Sequence, residues 1–248
     1  RFVNLTSLNL KYCDSLTEIP DISCLSKLSF ARCKNLCTIH YSVGLLEKLK
    51  ILNAGGCPEL KSFPPLKLTS LEQFKHLVCR SLESFPEILG KMENIIVLDD
   101  CRIKKIPTSF RNFTRLQELY LGRTYRLKGF DAATFISNIC MIADDVFKLS
   151  SVVWSSIQRL EFIGCDLSDE LLPLFLSCFV NVKNLNLSEN NFTVIPECIK
   201  ECRFLTSLTL DYCENHQEVR WIPPNLKRLS AIGFLALTSS STSMLGNQ

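Results

Sequence analysis

The sequence predicts a β-rich α/β fold in which one short coil of chain is repeated and stacked, on three observations. The first is the run LTSLNLKYCDSLTEIP (5–20), which reads Leu-x-x-Leu-x-Leu-x-x-Cys-x-x-Leu-x-x-Ile-Pro. The second is its return as LSKLSFARCKNLCTIH from Leu25, LKILNAGGCPELKSFP from Leu49 and LEQFKHLVCRSLESFP from Leu71. The third is spacing: the cysteines at 13, 33, 57 and 79 lie 20, 24 and 22 residues apart. That period with this apolar pattern is the mark of leucine-rich repeats.

Each part of the coil has a physical reason. Leu8 and Leu10 alternate as on a strand with one buried face. Leu16 and Ile19 dip back toward the core, and Pro20, which cannot continue a ladder or a helix, suits the return path. One coil alone leaves its apolar face in water, whereas stacked neighbours bury it. The expected architecture is a leucine-rich-repeat solenoid, with a curved parallel sheet on the concave face and short helices, 3-10 turns and loops on the convex face. A buried Leu is worth roughly 1.5–3 kcal/mol, so the apolar positions of each coil outweigh its polar detail.

After the Pro position comes an outer grammar of small or polar and apolar residues: HYSVGLLEKL (40–49), PEILGKMENI (86–95), PTSFRNFTRL (107–116) and PECIKECRFL (196–205). The array continues with IIVLDDCRIKKIP from Ile95, two residues shorter, with Asp100 where Leu is expected. LQELYLGRTYRLKGF (116–130) places Thr124 in the Cys slot. Residues 131–156 then break the period, since Thr124 and Cys165 are 41 residues apart. They read as an inserted island with one short helix around Phe135–Val146. Repeats resume at Ile157, Val182 and Leu205, and a degenerate one follows at Leu226. Residues 1–235 are thus about ten repeats, and 236–248, poor in core formers, read as a post-repeat linker.

Composition bounds the function. Twenty-eight basic and 25 acidic residues give a net charge of +3, too balanced to imply a nucleic acid or an anionic membrane as partner. The longest apolar run, Leu171 to Val182, is broken by Pro173 and too short to span a bilayer. With no initiator Met and no signal peptide, and Arg1 just before a strand, the chain reads as an internal piece of a longer protein. Of 13 cysteines, Cys13, Cys33, Cys57, Cys79, Cys165 and Cys213 share one repeat slot, where a buried free thiol packs well. A ladder of thiols suits a reducing, cytoplasmic compartment. Against this stand the sequons at Asn4, Asn112, Asn186 and Asn191, which the repeat grammar produces by itself.

Catalytic and metal chemistry find little support. His40 replaces the repeat Pro and His76 takes a strand position, and His216 is far from both in sequence. Cys33-x₃-Cys37 and Cys198-x₃-Cys202 have metal-compatible spacing but no second pair completes a tetrahedral set. No nucleophile–base constellation and no Gly-rich phosphate loop occurs. No catalytic residue, metal or cofactor is expected.

Binding is expected instead on the outward strand positions, whose identity packing does not dictate. These are Lys11, Lys27, Lys75, Glu118, Tyr120, Arg159, Glu161, Asn184, Asn186, Ser207, Thr209 and Asp211. Tyr120, Arg159 and Glu161, beside the island, are a candidate recognition patch, since Tyr and Arg are over-represented among binding hot spots. The basic start, Lys11, Lys27, Arg32 and Lys34, lies among Asp14, Glu18 and Asp21 and reads as a solvated face.

The Cys slot, the terminal Ile/Phe/Leu-Pro and the Pro-x-Ser-Ile-Gly-like return together resemble the repeat region of plant TIR–NB–LRR intracellular immune receptors. CDLSDELLPLFL (165–176), NVKNLNLSENNFTVIPECIKECRFLTSLTLDYC (181–213) and IPPNLKRLSAIGFLALTSSS (222–241) carry the likeness best, with a legume-like ending. The resemblance implies a sensor that recognises a pathogen effector or guarded host protein and holds the receptor's own nucleotide-binding domain inactive until then. ADP or ATP would belong to the implied full-length receptor. Two other readings stay open. CDLSDELL (165–172) also looks like the substrate-recruiting array of an F-box-type ubiquitin ligase component, and the sequons allow a secreted receptor ectodomain.

Overall fold

The computed structural model describes residues 4–22, 24–75, 79, 81–82, 84–95, 97–100, 105–122, 130–140, 154–215 and 219–233. The chain forms two compact units, Arg1–Leu121 and Gly122–Gln248. The expected slot at Thr124, the end of the island helix beyond Cys140, and His76 and His216 lie outside the described residues.

In the first unit the strands are β1 (Ser7–Asn9), β3 (Lys27–Ser29), β5 (Ile51–Asn53), β6 (Gln73–Lys75), β7 (Val97–Asp100) and β8 (Glu118–Leu121). They pair in that order, every pair parallel. Register aligns one row through the unit: Leu8, Leu28, Leu52, Phe74, Leu98, Leu119. Alternation explains why Leu28 and Leu52 are buried while Lys27 is exposed. A second two-stranded ladder, β2 (Glu18–Ile19) and β4 (Thr38–Ile39), forms where the chain dips back, and Ile19 is buried there.

The second unit repeats this with β9 (Arg159–Phe162), β10 (Asn184–Asn186), β11 (Ser207–Thr209) and β12 (Arg228–Ser230), again parallel, aligning Leu160, Leu185, Leu208 and Leu229. The island contributes α1, Ala132–Cys140, three residues earlier than the expected helix at its start. A second helix, α2 (Leu171–Cys178), takes the long return after β9. Pro173 is tolerated at its third position, where a backbone N–H would have no intrahelical acceptor.

The outer returns include 3-10 helices at Tyr41–Leu45, Thr108–Asn112 and Glu197–Glu201. Each is preceded by the Pro position of the repeat. His40 occupies it with φ −61° and ψ 143°, close to Pro107 (−72°, 159°) and Pro196 (−72°, 157°). Its ring also accepts the Ser42 N–H, so this non-proline residue supplies a cap that Pro cannot. The return serine reaches back one coil: Ser42 Oγ accepts from Ile22 N at 3.2 Å and Ser109 Oγ from Ile88 N at 3.0 Å.

Phenylalanines fill each interior. In the first unit Phe30, Phe63, Phe74, Phe85 and Phe110 follow one another at centroid distances of 6.3, 5.9, 6.2 and 5.2 Å. In the second, Phe135 of α1 stacks on Phe162 at 5.4 Å, and Phe162 meets Phe175 of α2 at 4.7 Å. The island helix is thereby docked on the repeat core rather than excluded from it.

The slot has a definite chemistry. Cys33, Cys57, Cys79 and Cys213 donate their thiols to the carbonyls of Leu10, Phe30, Ala54 and Leu187, at 3.0, 3.3, 3.4 and 3.3 Å, each one coil back. One residue before the slot the backbone is left-handed: Tyr12 (φ 61°), Arg32 (61°), Gly56 (77°), Gly164 (59°), Glu189 (60°), Tyr212 (58°) and Gly233 (77°). The twist aims each N–H at the following coil: Tyr12 N reaches Ala31 O at 3.0 Å, Arg32 N Gly55 O at 2.8 Å, Glu189 N Asp211 O at 2.9 Å.

Candidate functional site

The outward positions form rows on the open face of each sheet. In the first unit, register brings Ser7, Lys27, Ile51, Gln73, Val97 and Glu118 into one row. Asn9, Ser29, Asn53 and Lys75 stand in the next. Lys27 is exposed and Glu118 half-buried; the side chain of Lys75 lies outside what is described. Lys11 is exposed in the turn after β1, not on the strand.

Tyr120 corrects the expected patch. Its alternation is outward, yet it is only 5% exposed and its hydroxyl donates to Glu118. Tyr120 also sits in the first unit while Arg159 and Glu161 sit in the second, so these three are not a single described patch.

The second unit gathers most of the expected residues. Arg159, Asn184 and Ser207 share one row, and Glu161, Asn186 and Thr209 the next. Together with Leu160 and Leu185 they line a shallow depression of about 210 Å³. Its wall is largely uncharged amide and hydroxyl groups, flanked by one guanidinium and one carboxylate, groups that can give and accept hydrogen bonds. Asn186 is partly spent on the fold, since its Oδ1 accepts from Ser188 N at 3.0 Å and Ser188 Oγ at 2.6 Å. Ser188, which makes both bonds, is 6% exposed. Asp211 accepts from Ser230 Oγ at 2.6 Å and Ile232 N at 2.9 Å, so it braces the next coil.

Electrostatic shifts in the cysteines are structural. Burial pushes Cys33 and Cys165 up, Cys213 to about 11 and Cys202 to about 12. Cys57 goes the other way, to about 7, because the Cys79 thiol hydrogen-bonds to it and outweighs its burial. Cys178, in α2, is disulfide-bonded, which the reading of the cysteines as a thiol ladder did not anticipate; the six slot residues are free. Among the described residues no three His, Cys, Asp or Glu side chains lie together as metal ligands, and no helix is long and apolar enough to cross a membrane.

Sequence reasoning missed the left-handed rim. The signal was available: Gly stands before the slot at 56, 164 and 233, and a glycine recurring at one repeat position points to positive φ.

The family described as "Disease resistance protein RPS4B-like, leucine-rich repeats" matches residues 67–231. TMV resistance protein N of Nicotiana glutinosa is 25% identical over 86% of this chain and 24% of its own length. Disease resistance protein RPS4B of Arabidopsis thaliana is 27% identical over 94% of this chain and 16% of its own. Protein SUPPRESSOR OF npr1-1, CONSTITUTIVE 1, of the same plant, is 28% identical over 88% of this chain and 14% of its own. The chain thus spans a quarter or less of the length of these relatives. A solved TLR13–ssRNA13 complex is 13% identical with a TM-score of 0.26, over 83% of this chain and 45% of that one, a likeness too loose to carry an argument.

Proposed function

The chain belongs to the leucine-rich repeats of RPS4B-like disease resistance proteins, and from that premise we propose that it is the ligand-sensing and autoregulatory part of a plant intracellular immune receptor. The open face of each sheet is the concave face of a curved repeat solenoid, and it reads a pathogen effector or a guarded host protein in the cytoplasm. The receptor's own nucleotide-binding domain is the second partner, and ADP or ATP bind there rather than here. Family membership favours this reading over the ubiquitin-ligase and secreted-receptor ones.

The observation that carries this reading is the depression lined by the polar side chains of Arg159, Glu161, Asn184, Asn186, Ser207 and Thr209. A recognition event must favour the active arrangement over the resting one by differential affinity. Its test is an infection assay on plants expressing the whole receptor with Arg159→Ala, Asn184→Ala and Ser207→Ala combined. Normal abundance with loss of the pathogen-triggered response is expected. An unchanged response would place recognition elsewhere.

A further inference from the structure

A hollow of about 440 Å³ opens at the rim of the first unit, lined by Lys11, Tyr12, Arg32, Asn53, Gly55 and Gly56 with Ala31. It is built on the left-handed column. Tyr12 and Arg32 hold φ of 61° each, a conformation uncommon for bulky side chains and worth a functional reading when seen. Gly56 takes the same backbone on the next coil, and a Cβ there would come within 3.1 Å of Arg32 Cγ, so the glycine keeps the floor open and leaves room for the arginine stem.

Arg32 is posed rather than free. Its Nη1 donates to Tyr12 Oη at 3.0 Å, and its Cζ stands 5.5 Å from the Tyr12 ring centroid, the stacked arrangement a guanidinium favours. One donor is spent on that bond, and among the described residues the remaining N–H groups of the fork make no further hydrogen bond. Nearby cations divide sharply. Lys34 is held by Asp14 at 2.8 Å and Lys50 by Glu72 at 2.9 Å, whereas Lys11 and Arg32 have no carboxylate partner among the described residues.

We infer that this hollow is a carboxylate-binding site that takes an acidic side chain of a protein partner, with Arg32 as the fork and Lys11 as the second charge. A planar fork fixed in advance matches a carboxylate bidentately, and its pre-organisation lowers the entropy lost on binding. Two cations without a carboxylate partner among the described residues, beside the neutralised Lys34–Asp14 pair, suit one or two carboxylates. A nucleic-acid backbone, by contrast, needs many phosphate contacts. The inference deepens the reading of this chain as a protein-recognition module and rests on it.

The test uses the whole 248-residue chain and a fluorescein-labelled decapeptide of alternating glutamate and glycine, followed by anisotropy. Arg32→Gly should weaken binding about tenfold or more, as expected for lost charge-assisted hydrogen bonds. Because glycine suits this φ, the same variant should unfold at or above the denaturant midpoint of the parent. Lys11→Gln should weaken binding as well, and Lys61→Gln, exposed elsewhere on the unit, should change it less than twofold. Equal binding by Arg32→Gly and the parent overturns the inference, as does an equal loss in Lys61→Gln. Tighter binding of a phosphopeptide or a single-stranded oligonucleotide of matched charge overturns the carboxylate assignment. Intact peptide binding with an unchanged infection response in the Arg159, Asn184 and Ser207 triple variant faults the receptor reading alone, and lost peptide selectivity faults this site alone.

Discussion

Asn190 Nδ2 donates to the carbonyl of Phe162 at 2.6 Å, one coil back, from the slot that cysteine occupies elsewhere in the array. Its Oδ1 meanwhile takes the N–H groups of Cys165 at 3.1 Å and Leu167 at 3.0 Å. A thiol can make the first of these bonds but not the other two, so the slot tolerates both residues with unequal effect.

Asn190→Ala should therefore cost about 2–5 kcal/mol, since it strands two buried backbone donors at roughly 1–3 kcal/mol each. Asn190→Cys restores only the donor to Phe162 and should recover less than half of that. Urea unfolding of the two variants beside the parent decides it. Equal losses would show that the Oδ1 bonds are not what holds the coil.

Leu185→Asp should abolish cooperative unfolding, because Leu185 is 2% exposed in the row with Leu160 and Leu208 and a buried unpaired carboxylate is among the costliest single changes. Asn186→Ala should cost about 1 kcal/mol through the lost Ser188 bonds, not zero as an exposed strand residue would. Circular dichroism melts separate the two, and a larger effect at Asn186 would shift the register by one residue.

The rim offers a pair of opposite signs. Gly164→Ala should cost about 1 kcal/mol and Glu189→Gly should gain up to about 1 kcal/mol, as both positions hold φ near 60° where a Cβ crowds the carbonyl. Differential scanning calorimetry reads both. A destabilised Glu189→Gly would mean its side chain contributes more than the strain it bears.

Stability should fall as pH rises from about 9 toward 11. Burial holds Cys213 at about 11 and Cys202 at about 12, against an ordinary value of 9.0. Above 9 the unfolded chain loses these protons while the native one keeps them, so the contribution of both thiols is complete below 9 and lost above it. Cys57, held at about 7 by the Cys79 thiol, runs opposite: its contribution is complete above 9 and lost as pH falls to 7. Cys57→Ala should accordingly make the fall between pH 7.5 and 10 steeper in guanidinium titrations. A shallower fall would reverse the Cys57 assignment.

Much of this molecule is legible in the run from Leu5 to Pro20. The strand positions Ser7 and Leu8, the return at Ile19 and the Pro position that His40 fills all follow from local apolar alternation and backbone restriction, which a single coil already expresses. The same reasoning listed Arg159, Asn184 and Ser207 as outward positions, and the register of the stacked strands sets them in one row. It could not reach the burial of Tyr120 or the disulfide at Cys178, neither of which the repeat pattern encodes.

What the sequence by itself determined is the coil: its period, its buried face and its slot, because each is set by residues within one repeat. What only the tertiary structure decided is everything that joins one coil to the next. The left-handed turn at Tyr12 and Arg32 exists to aim an N–H at the coil that follows. Lys34 is consumed by Asp14 and Arg32 is laid over Tyr12. Those partners lie 20 residues apart in the chain, and only stacking brings them within a few ångströms.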